Sequence, residues 1–253
     1  MTPLPAAPVA VRGLRKSFFD KGRGEVRAVD GLDFDCARGE IFGLLGANGA
    51  GKTTTLRMLA TVLRPDGGSA TVMGHDVARD PDLVRQSLGF FSSSTALYPR
   101  LTARETLELF ARIGGLPRER VRGRVEELIA RFGIGAYSDT RIEALSQGMK
   151  QKVSIARTVV HDPPVLIFDE PTVGLDVLNA LDMRKLIAEL RSEGKCIVFS
   201  THVMSEAEKL CDRIAIVHRG QIHATGSLRE LREATGLHYL EDIFVHSVES
   251  AGA

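Results

Sequence analysis

The sequence predicts one large α/β domain, and three observations support this fold class. Short apolar runs at 165–168 and 196–199 have the length and composition of buried parallel strands. Segments near 177–192 and 203–210 have helical periodicity and alternate with such runs. A glycine-rich loop follows the strand-like run 41–45 and opens a helix, as at the ligand-binding edge of an open α/β sheet. A chain of 253 residues can bury one substantial core of this kind.

The first part of the chain predicts a leader, strands and a hairpin. Proline-rich residues 1–8 are expected to be a disordered leader. Alternating apolar residues predict strands at 9–13 and 26–36, joined by a turn at 20–24. The helix after the glycine-rich loop is expected from Lys52 to about Leu63. A proline–glycine turn then leads into a hairpin through Thr71 and Val72.

The rest of the chain predicts a helical region and then a return to strands. From about residue 80 to 162 the pattern is helical, which predicts a helical subdomain. A short helix is expected near 228–233, and the domain as a whole is expected to span 9–245, with 246–253 as a tail. The predicted parallel strands of this part are 165–169, 196–201 and 214–218.

Composition excludes several classes of function. A net charge of +1 provides no general attraction to nucleic acid or to anionic lipid. The longest apolar runs are far shorter than the roughly 20 residues of a membrane helix, and the start of the chain does not resemble a signal peptide. The three cysteines show no metal-binding spacing and are expected to be reduced thiols. These features predict a cytoplasmic protein whose membrane role, if it has one, depends on a partner.

Residues 46–53 match the phosphate-binding pattern G-x-x-x-x-G-K-T, between a strand and a helix. Its backbone N–H groups and the helix N-terminus suit phosphate oxygens, Lys52 suits the β- and γ-phosphates of ATP, and the Thr53 hydroxyl suits Mg²⁺. The alternative is a glycine-rich turn that contains an unrelated lysine. The predicted nucleotide-binding residues here are Gly46, Ala47, Asn48, Gly49, Ala50, Gly51, Lys52, Thr53 and Thr54.

Asp169 and Glu170 follow an apolar run, so both are expected at the carboxyl end of a buried strand. Asp169 is a candidate Mg²⁺ ligand, and Glu170 is a candidate for polarising the water that attacks the γ-phosphate. Taken alone, such a pair is more often a solvated strand end. The phosphate loop upstream favours the catalytic interpretation.

Leu145-Ser146-Gln147-Gly148-Met149 opens a helix, for which Ser146 is a suitable N-cap. The segment resembles the signature motif of ABC-type ATPases, although Gln147 and Met149 replace the usual Gly and Gln. The resemblance implies a P-loop NTPase fold with a RecA-like mixed-sheet core, an N-terminal antiparallel β subdomain and a helical subdomain. It also implies a dimer, in which Ser146 and Gly148 contact the ATP bound by the opposite subunit.

Further residues acquire roles only through this resemblance. His202 follows an apolar strand where the family has a histidine that hydrogen-bonds the γ-phosphate, although a polar strand end is the simpler alternative. Asp176 belongs to a Gly-Leu-Asp segment that resembles the family's dimer-crossing loop. Phe18 lies where the family stacks an aromatic ring on adenine; Phe19 is a rival, and a core or turn aromatic is nearly as good an explanation.

The segment after Gly89 departs from the family pattern. The family has a glutamine about four residues later that reaches Mg²⁺ and the attacking water, and the register places Ser93 there. A serine is too short for this contact. The following residues, within Ser92–Thr102, are predicted to dock an integral membrane permease, with Tyr98 at the interface. The alternative is that Tyr98 packs on its own helical subdomain.

Nearly the whole chain is similar to ABC transporter ATP-binding subunits. The glutamine-free loop, the Leu-Ser-Gln-Gly-Met signature and the closing Leu240-Glu-Asp-Ile-Phe244 resemble the exporter group of sodium-efflux (NatA-type) and drug- or polysaccharide-export ATPases. This implies an ATP- and Mg²⁺-dependent ATPase that pairs with a second ATP-binding subunit, most simply a second copy, and lies on the inner face of the cell membrane with its permease. The alternative is an ABC ATPase of iron–sulfur cluster assembly without a membrane partner.

Overall fold

Two β-sheets with helices packed around them form the protein in a computed structural model that describes residues 7–22, 24–92 and 96–250. In chain order the strands are β1 (Val9–Asp20), β2 (Gly24–Cys36), β3 (Ile41–Leu45), β4 (Gly67–Val72), β5 (His75–Asp76), β6 (Leu88–Ser92), β7 (Val165–Asp169), β8 (Cys196–Thr201), β9 (Arg213–His218) and β10 (Gln221–Gly226). The α-helices are α1 (Lys52–Leu59), α2 (Pro81–Ser87), α3 (Ala103–Ile113), α4 (Arg118–Arg131), α5 (Gln147–Val159), α6 (Val177–Ser192), α7 (Met204–Leu210), α8 (Leu228–Thr235) and α9 (Leu240–Glu249).

The larger sheet has the strand order β10-β9-β3-β8-β7-β6. Strands β3, β6, β7, β8 and β9 pair in parallel, and only β10 joins its neighbour in the antiparallel sense among the described strands of this sheet. The central strands β3, β7 and β8 are buried at every position, which explains their continuous apolar sequence. Their carboxyl ends meet at one edge, and this edge carries the candidate site.

The smaller sheet is antiparallel, in the order β2-β1-β4-β5, and lies against the larger one. The rings of Phe34 in β2 and Phe42 in β3 are stacked with centroids 4.9 Å apart, within the core cluster that both sheets share. Burial of such rings is worth a few kcal/mol each, and stacked pairs add about 1 kcal/mol. The two sheets therefore form one packed core that fixes the position of β2 relative to the glycine-rich loop.

Helices α3, α4 and α5 pack together on the other side of the larger sheet. A capping box at Thr102, which accepts a hydrogen bond from the Glu105 backbone N–H, starts α3. Leu107, Val125 and Val153 are fully or almost fully buried in the same cluster. The predicted helical region therefore exists, and its helices meet through the apolar faces expected from the sequence.

The structure differs from the sequence-based prediction at several places, which include strand β10 and helix α9, neither of which was predicted. Helix α1 ends at Leu59, not near Leu63, because Thr61 takes a left-handed backbone (φ 58°). Strand β1 runs on to Asp20, so Phe18 belongs to this strand. The range predicted as helical contains β6, which pairs with β7 in the larger sheet.

Other expectations agree with the structure. The α/β fold class with an antiparallel and a mixed sheet is confirmed. The three cysteines carry free thiols. Across the described ranges, no helix combines the length and the apolar character needed to cross a membrane. Residues 1–6 of the predicted leader lie outside the described residues.

Candidate active site

The glycine-rich loop lies between β3 and α1 and is held by two other parts of the chain. The backbone N–H of Gly220 donates to the Ala50 carbonyl at 2.9 Å, and the Asp30 N–H donates to the Gly220 carbonyl at 2.8 Å. Gly51 has a φ of 106°, and a Cβ on it would lie 2.3 Å from the Ala28 carbonyl oxygen. Because no other residue fits there, β2 and the β9–β10 turn together determine the shape of the loop.

The Lys52 side chain is buried at this loop, with 4% of its surface exposed. Its ammonium donates to the carbonyl oxygens of Gly46 (2.7 Å) and Ala47 (3.1 Å) and lies 3.5 Å from Glu170 Oε1. Burial lowers the pKa of Lys52, and the carboxylates of Glu170 and Asp169 oppose this shift. The chain thus concentrates a positive charge where the loop's backbone amides and the α1 N-terminus also favour an anion.

A cavity of about 260 Å³ opens over the loop. Its walls combine an aromatic ring, backbone amides, a lysine and a carboxylate, which are the groups that a nucleoside triphosphate needs. They come from Phe18, Ala28, residues 48–54 and Glu170. The lining therefore fits ATP, with the ring of Phe18 available to a base and the loop available to phosphates.

Thr53 and Asp169 are in direct contact, as expected of two residues that hold one metal ion. The Thr53 hydroxyl donates to Asp169 Oδ1 at 3.0 Å, and the Ser200 hydroxyl donates to the same oxygen at 2.7 Å. Asp169 is buried, and the Ser92 hydroxyl lies 3.4 Å from its other oxygen. Mg²⁺ is usually held by one or two carboxylates together with hydroxyls, waters and phosphate oxygens. This donor set fits Mg²⁺ next to a bound phosphate.

Glu170 lies next to Lys52 and His202 at the carboxyl edge of the sheet. Its backbone has a φ of 50°, which is unusual for a residue with a side chain and costs about 1 kcal/mol or more. The backbone N–H donates to Ser200 Oγ at 3.1 Å, and Oε1 lies 3.1 Å from His202 Nδ1. The strained backbone is held by this network and directs a carboxylate, 19% exposed, at the lysine.

A buried brace positions the residues around His202. Thr201 donates from its hydroxyl to Glu206 Oε2 at 2.8 Å and accepts the Val203 backbone N–H at 3.0 Å. Glu206 is 5% exposed and lies 4.0 Å from the Arg184 guanidinium of α6. The turn that carries His202 is therefore tied to both α6 and α7.

Phe18 and Phe19 are distinguished by their surroundings. Phe18 lines the cavity, is 42% exposed and has the Lys16 ammonium 5.7 Å from its ring centre. Phe19 is 83% exposed and does not line this cavity. The geometry favours Phe18 over Phe19 as the stacking residue.

Ser146, Gly148 and Asp176 form a second group that does not line the cavity of the same chain. Ser146 accepts the Met149 backbone N–H at 3.3 Å, which makes it the N-cap of α5 as predicted. Asp176 caps α6 by accepting the Asn179 backbone N–H at 3.0 Å, and this bond lowers the pKa of Asp176. A Cβ on Gly148 would lie 3.2 Å from Asn179 Nδ2. The starts of α5 and α6 are thus adjacent, and Ser146 and Asp176 are exposed.

Sequence reasoning missed Ser200 and Glu206. The register pairs Asp169 with Ser200, so the ends of neighbouring parallel strands could have indicated Ser200. Glu206 has no comparable signal, because its role depends on how α7 folds back on β8. Gln151, likewise missed, donates from α5 to the Pro171 carbonyl and links the signature helix to the segment after Glu170.

Part of the predicted docking segment is described. Leu97 packs on the core of the helical region, and Tyr98 is 55% exposed with its ring 6.4 Å from that of Phe110. Tyr98 therefore packs on its own subdomain with one face and leaves the other accessible. Ser93 lies outside the described residues, so its role remains a prediction.

A family model described as ABC transporter matches residues 29–173, more than half of the chain. The chain belongs to the ABC transporter family. ABC transporter ATP-binding protein NatA of Bacillus subtilis (strain 168) is 42% identical over 231 residues, which cover 91% of this chain and 94% of NatA. Nod factor export ATP-binding protein I of Ralstonia nicotianae (strain GMI1000) is 39% identical and covers 88% of this chain and 68% of its own length.

A solved structure gives the same result for the fold of this ABC transporter protein. The ATP-binding cassette MJ0796, in a dimeric post-hydrolysis state bound to ADP and Pi, has a TM-score of 0.79 at 26% identity, covering 87% of this chain and 99% of that one. These findings confirm the predicted family, fold and ATPase class, and ATP is the ligand that ABC ATPase domains bind. The iron–sulfur assembly alternative receives no support from these relatives.

Proposed function

We propose that this chain is the ATP-hydrolysing subunit of an ABC exporter and that it energises transport through a separate permease. The observation that carries the proposal is the convergence of three strand ends. Strand β3 leads to the phosphate loop, β7 to Asp169 and Glu170, and β8 to His202, all at one edge of the sheet. The relatives named for Nod factor export and as NatA favour export among the ABC transporter functions.

ATP is proposed to bind with its base on Phe18 and its phosphates in the loop from Gly46 to Thr54. Lys52 would turn from the Gly46 and Ala47 carbonyls to the β- and γ-phosphates, which attract the ammonium more strongly than neutral acceptors do. Thr53 and Asp169 would hold Mg²⁺, which neutralises phosphate charge when it is bound.

Glu170 is proposed to orient and polarise the attacking water. It lies beside Lys52, and therefore beside the place of the γ-phosphate, and its strained backbone keeps it there. His202, held 3.1 Å from Glu170 by the Thr201 brace, is proposed to hydrogen-bond the γ-phosphate and to detect its loss.

A second copy of the chain is proposed to complete each ATP site. Ser146, Gly148 and Asp176 lie apart from the cavity of their own chain, which suits contact with a nucleotide on the partner. Exposed apolar side chains surround Asp176, and they favour a covered surface there. They are Val173 (43% exposed), Val177 (75%), Leu178 (75%) and Leu181 (39%).

The permease is proposed to dock at Ser92–Thr102, where Tyr98 leaves one face accessible. We therefore also propose that the protein lies in the cytoplasm, on the inner face of the cell membrane. We also propose 9–245 as the ATP-binding unit, with its helical subdomain at about 80–162 interrupted by β6.

The test begins with purification of the wild-type chain from its native membranes and identification of the integral protein that remains bound. That protein is reconstituted in vesicles, and ATP hydrolysis is measured with and without it. We expect stimulation of hydrolysis and ATP-dependent transport across the vesicle membrane. Hydrolysis that no integral membrane protein stimulates, together with a chain that never co-purifies with one, would contradict the proposal.

A further inference from the structure

A cavity of about 640 Å³ lies between α2, β6, the end of α3 and the end of α5. It has no lining residue in common with the ATP cavity. Its rim includes Tyr98 and Ile113, of which 55% and 67% are exposed. Deeper residues of the lining are Phe90, Phe110, Arg157 and His161.

Arg157 is an unusual residue within this cavity. It is 6% exposed, and its guanidinium lies over the Phe110 ring, 4.9 Å from the ring centre. Within the described part of the chain, no carboxylate lies at ion-pair distance from this guanidinium and no hydrogen bond from it is found. Burial lowers the pKa of Arg157, and the neighbouring Tyr98 opposes this shift.

The other buried charges of residues 7–22, 24–92 and 96–250 are compensated, which sets Arg157 apart. Lys52 forms an ion pair with Glu170. Glu206 accepts a hydrogen bond from Thr201 and lies at ion-pair distance from Arg184. Burying a charge is unfavourable unless a partner and hydrogen bonds compensate it. The stacking on Phe110 offsets only part of this cost, because a cation–π contact contributes about 1–2 kcal/mol.

His161 adds a second unsatisfied group to the same cavity. Its Nε2 atom is buried and has no hydrogen-bond partner among the described residues. Asp82, the acidic residue among the described lining residues, is already paired with Arg85. Among the described residues, the cavity lining therefore includes an arginine without an ion-pair partner and one imidazole nitrogen without a hydrogen bond, below a rim of exposed aromatic and aliphatic side chains.

We propose that this cavity receives an acidic side chain from a cytoplasmic segment of the permease, with the carboxylate on Arg157 and neighbouring apolar residues on Tyr98 and Ile113. This inference rests on the proposed function and specifies the chemistry of its docking surface. A guanidinium can bind a carboxylate through two parallel hydrogen bonds, which suits an anchor at the bottom of an apolar rim. A small free anion would leave the exposed apolar rim uncovered, so a protein segment fits the cavity better.

The first experiment uses the reconstituted permease that stimulates the wild-type chain. Arg157→Gln and Arg157→Lys are compared with Arg112→Gln, a control at an exposed arginine that pairs with Glu108 at 3.6 Å outside the cavity. The measurement is the concentration of ATPase subunit that gives half-maximal stimulation. We expect a rise of about 10- to 100-fold for Arg157→Gln, a smaller rise for Arg157→Lys, and less than twofold for the control.

Thermal melting of the isolated subunits separates docking from a structural role. Because Arg157 is buried and no described residue forms an ion pair with it, Arg157→Gln should melt at or above the wild-type temperature. A fall of several degrees together with unchanged half-maximal stimulation would overturn the inference, since it would show that Arg157 stabilises only its own chain.

The second experiment identifies the partner group on the permease. Each Asp and Glu of its cytoplasmic segments is changed to the corresponding amide and tested with wild-type chain and with Arg157→Gln. One of these permease substitutions should weaken docking to the wild-type chain by about the same factor as Arg157→Gln does. The same permease substitution should have little further effect when it is combined with Arg157→Gln. Arg157→Glu combined with arginine at that permease position should recover part of the coupling.

Three results contradict the inference. The first is that Arg157→Gln docks as well as wild type. The second is that the effect of every permease amide substitution adds in full to the effect of Arg157→Gln. The third is that no charge-reversal pair recovers coupling. If Arg157→Gln does not fold, Arg157→Lys and the permease variants with wild-type chain still decide the question. A wild-type chain that no membrane protein stimulates contradicts the proposed function itself, whereas equal stimulation of wild type and Arg157→Gln contradicts only this inference.

Discussion

Replacement of Glu170 by glutamine tests the centre of the proposed mechanism. The substitution keeps the size and hydrogen-bonding capacity of the side chain and removes its negative charge. In the structure, Glu170 Oε1 lies 3.5 Å from the Lys52 ammonium and 3.1 Å from His202 Nδ1. The change therefore affects the buried lysine and the attacking water, while the phosphate loop keeps its shape.

The expected effect on stability follows from the Lys52–Glu170 distance. At 3.5 Å and an effective dielectric constant of about 20, the attraction is on the order of 5 kcal/mol. The solvation that both groups lost offsets much of it, and Lys52 keeps the Gly46 and Ala47 carbonyls. We expect a net loss of about 2 kcal/mol without nucleotide, which lowers the Tm of a chain of this size by roughly 4–8 °C.

The expected effect on activity is a slower hydrolysis step with ATP binding preserved. Loss of the group that activates water should slow turnover by about 10²- to 10⁴-fold. ATP affinity should stay equal or increase, because a negative charge beside the γ-phosphate is removed. With Mg–ATP the Glu170→Gln chain should accumulate as a dimer in light scattering, and most of the lost Tm should return.

The assays are phosphate release, ATP binding by calorimetry, light scattering and thermal melting. Glu193→Gln is the matched control, because it removes the same charge from an exposed ion pair 2.6 Å from Arg131 and should change little. Wild-type turnover in Glu170→Gln would refute the catalytic assignment. An unchanged Tm without nucleotide would refute the energetic argument for the ion pair.

Two further substitutions test the dimer and the adenine contact. Ser146→Asp should keep the α5 cap and the wild-type Tm, because aspartate is as good an N-cap as serine. Its carboxylate should nevertheless abolish ATP-dependent dimerisation and hydrolysis, because it would repel the γ-phosphate. If hydrolysis persists, Ser146 is only a cap. Phe18→Ala should weaken ATP binding about tenfold or more through lost stacking, whereas Phe19→Ala should not; equal loss in both variants, measured by calorimetry, would remove the assignment of Phe18.

The fold could be predicted best where sequence and burial have the same pattern. Strands β3, β7 and β8 were predicted at their observed bounds, since each is a continuous apolar run enclosed on both faces. Helices α6 and α7 were predicted to within a residue or so, because they separate these strands.

Strand β6 was missed because its character comes from tertiary packing. Its Gly89 carries no β-propensity, yet a Cβ there would lie 2.4 Å from the Thr158 carbonyl of α5. The glycine is needed for the close approach of helix and strand, which no local pattern reveals. The early end of α1 has a local origin, since the N–H groups of Val62 and Leu63 both turn back to the Arg57 carbonyl.

Some residues of the candidate site could likewise be predicted from the sequence, and others could be recognised only in the folded structure. Motifs with fixed spacing identified the phosphate loop, Asp169, Glu170 and the Ser146 cap, because these residues act through the backbone geometry of a strand end or a helix start. The brace through Glu206 and the buried position of Arg157 over Phe110 could not be predicted. Their significance depends on which side chains lie within a few ångströms after folding, and many sequences place a glutamate or an arginine on a helix.

The clamp on the phosphate loop has a consequence for how the protein is made. Ala28, Ala50 and Gly220 are far apart in sequence but meet at the loop, and the hydrogen bonds from Asp30 to Gly220 and from Gly220 to Ala50 connect them. Chains are synthesised from the N-terminus, so residues 46–53 leave the ribosome long before their support at 220 exists. We therefore expect ATP to stabilise a chain whose last strands have joined the sheet more than one that still lacks them, so that the nucleotide favours the finished subunit.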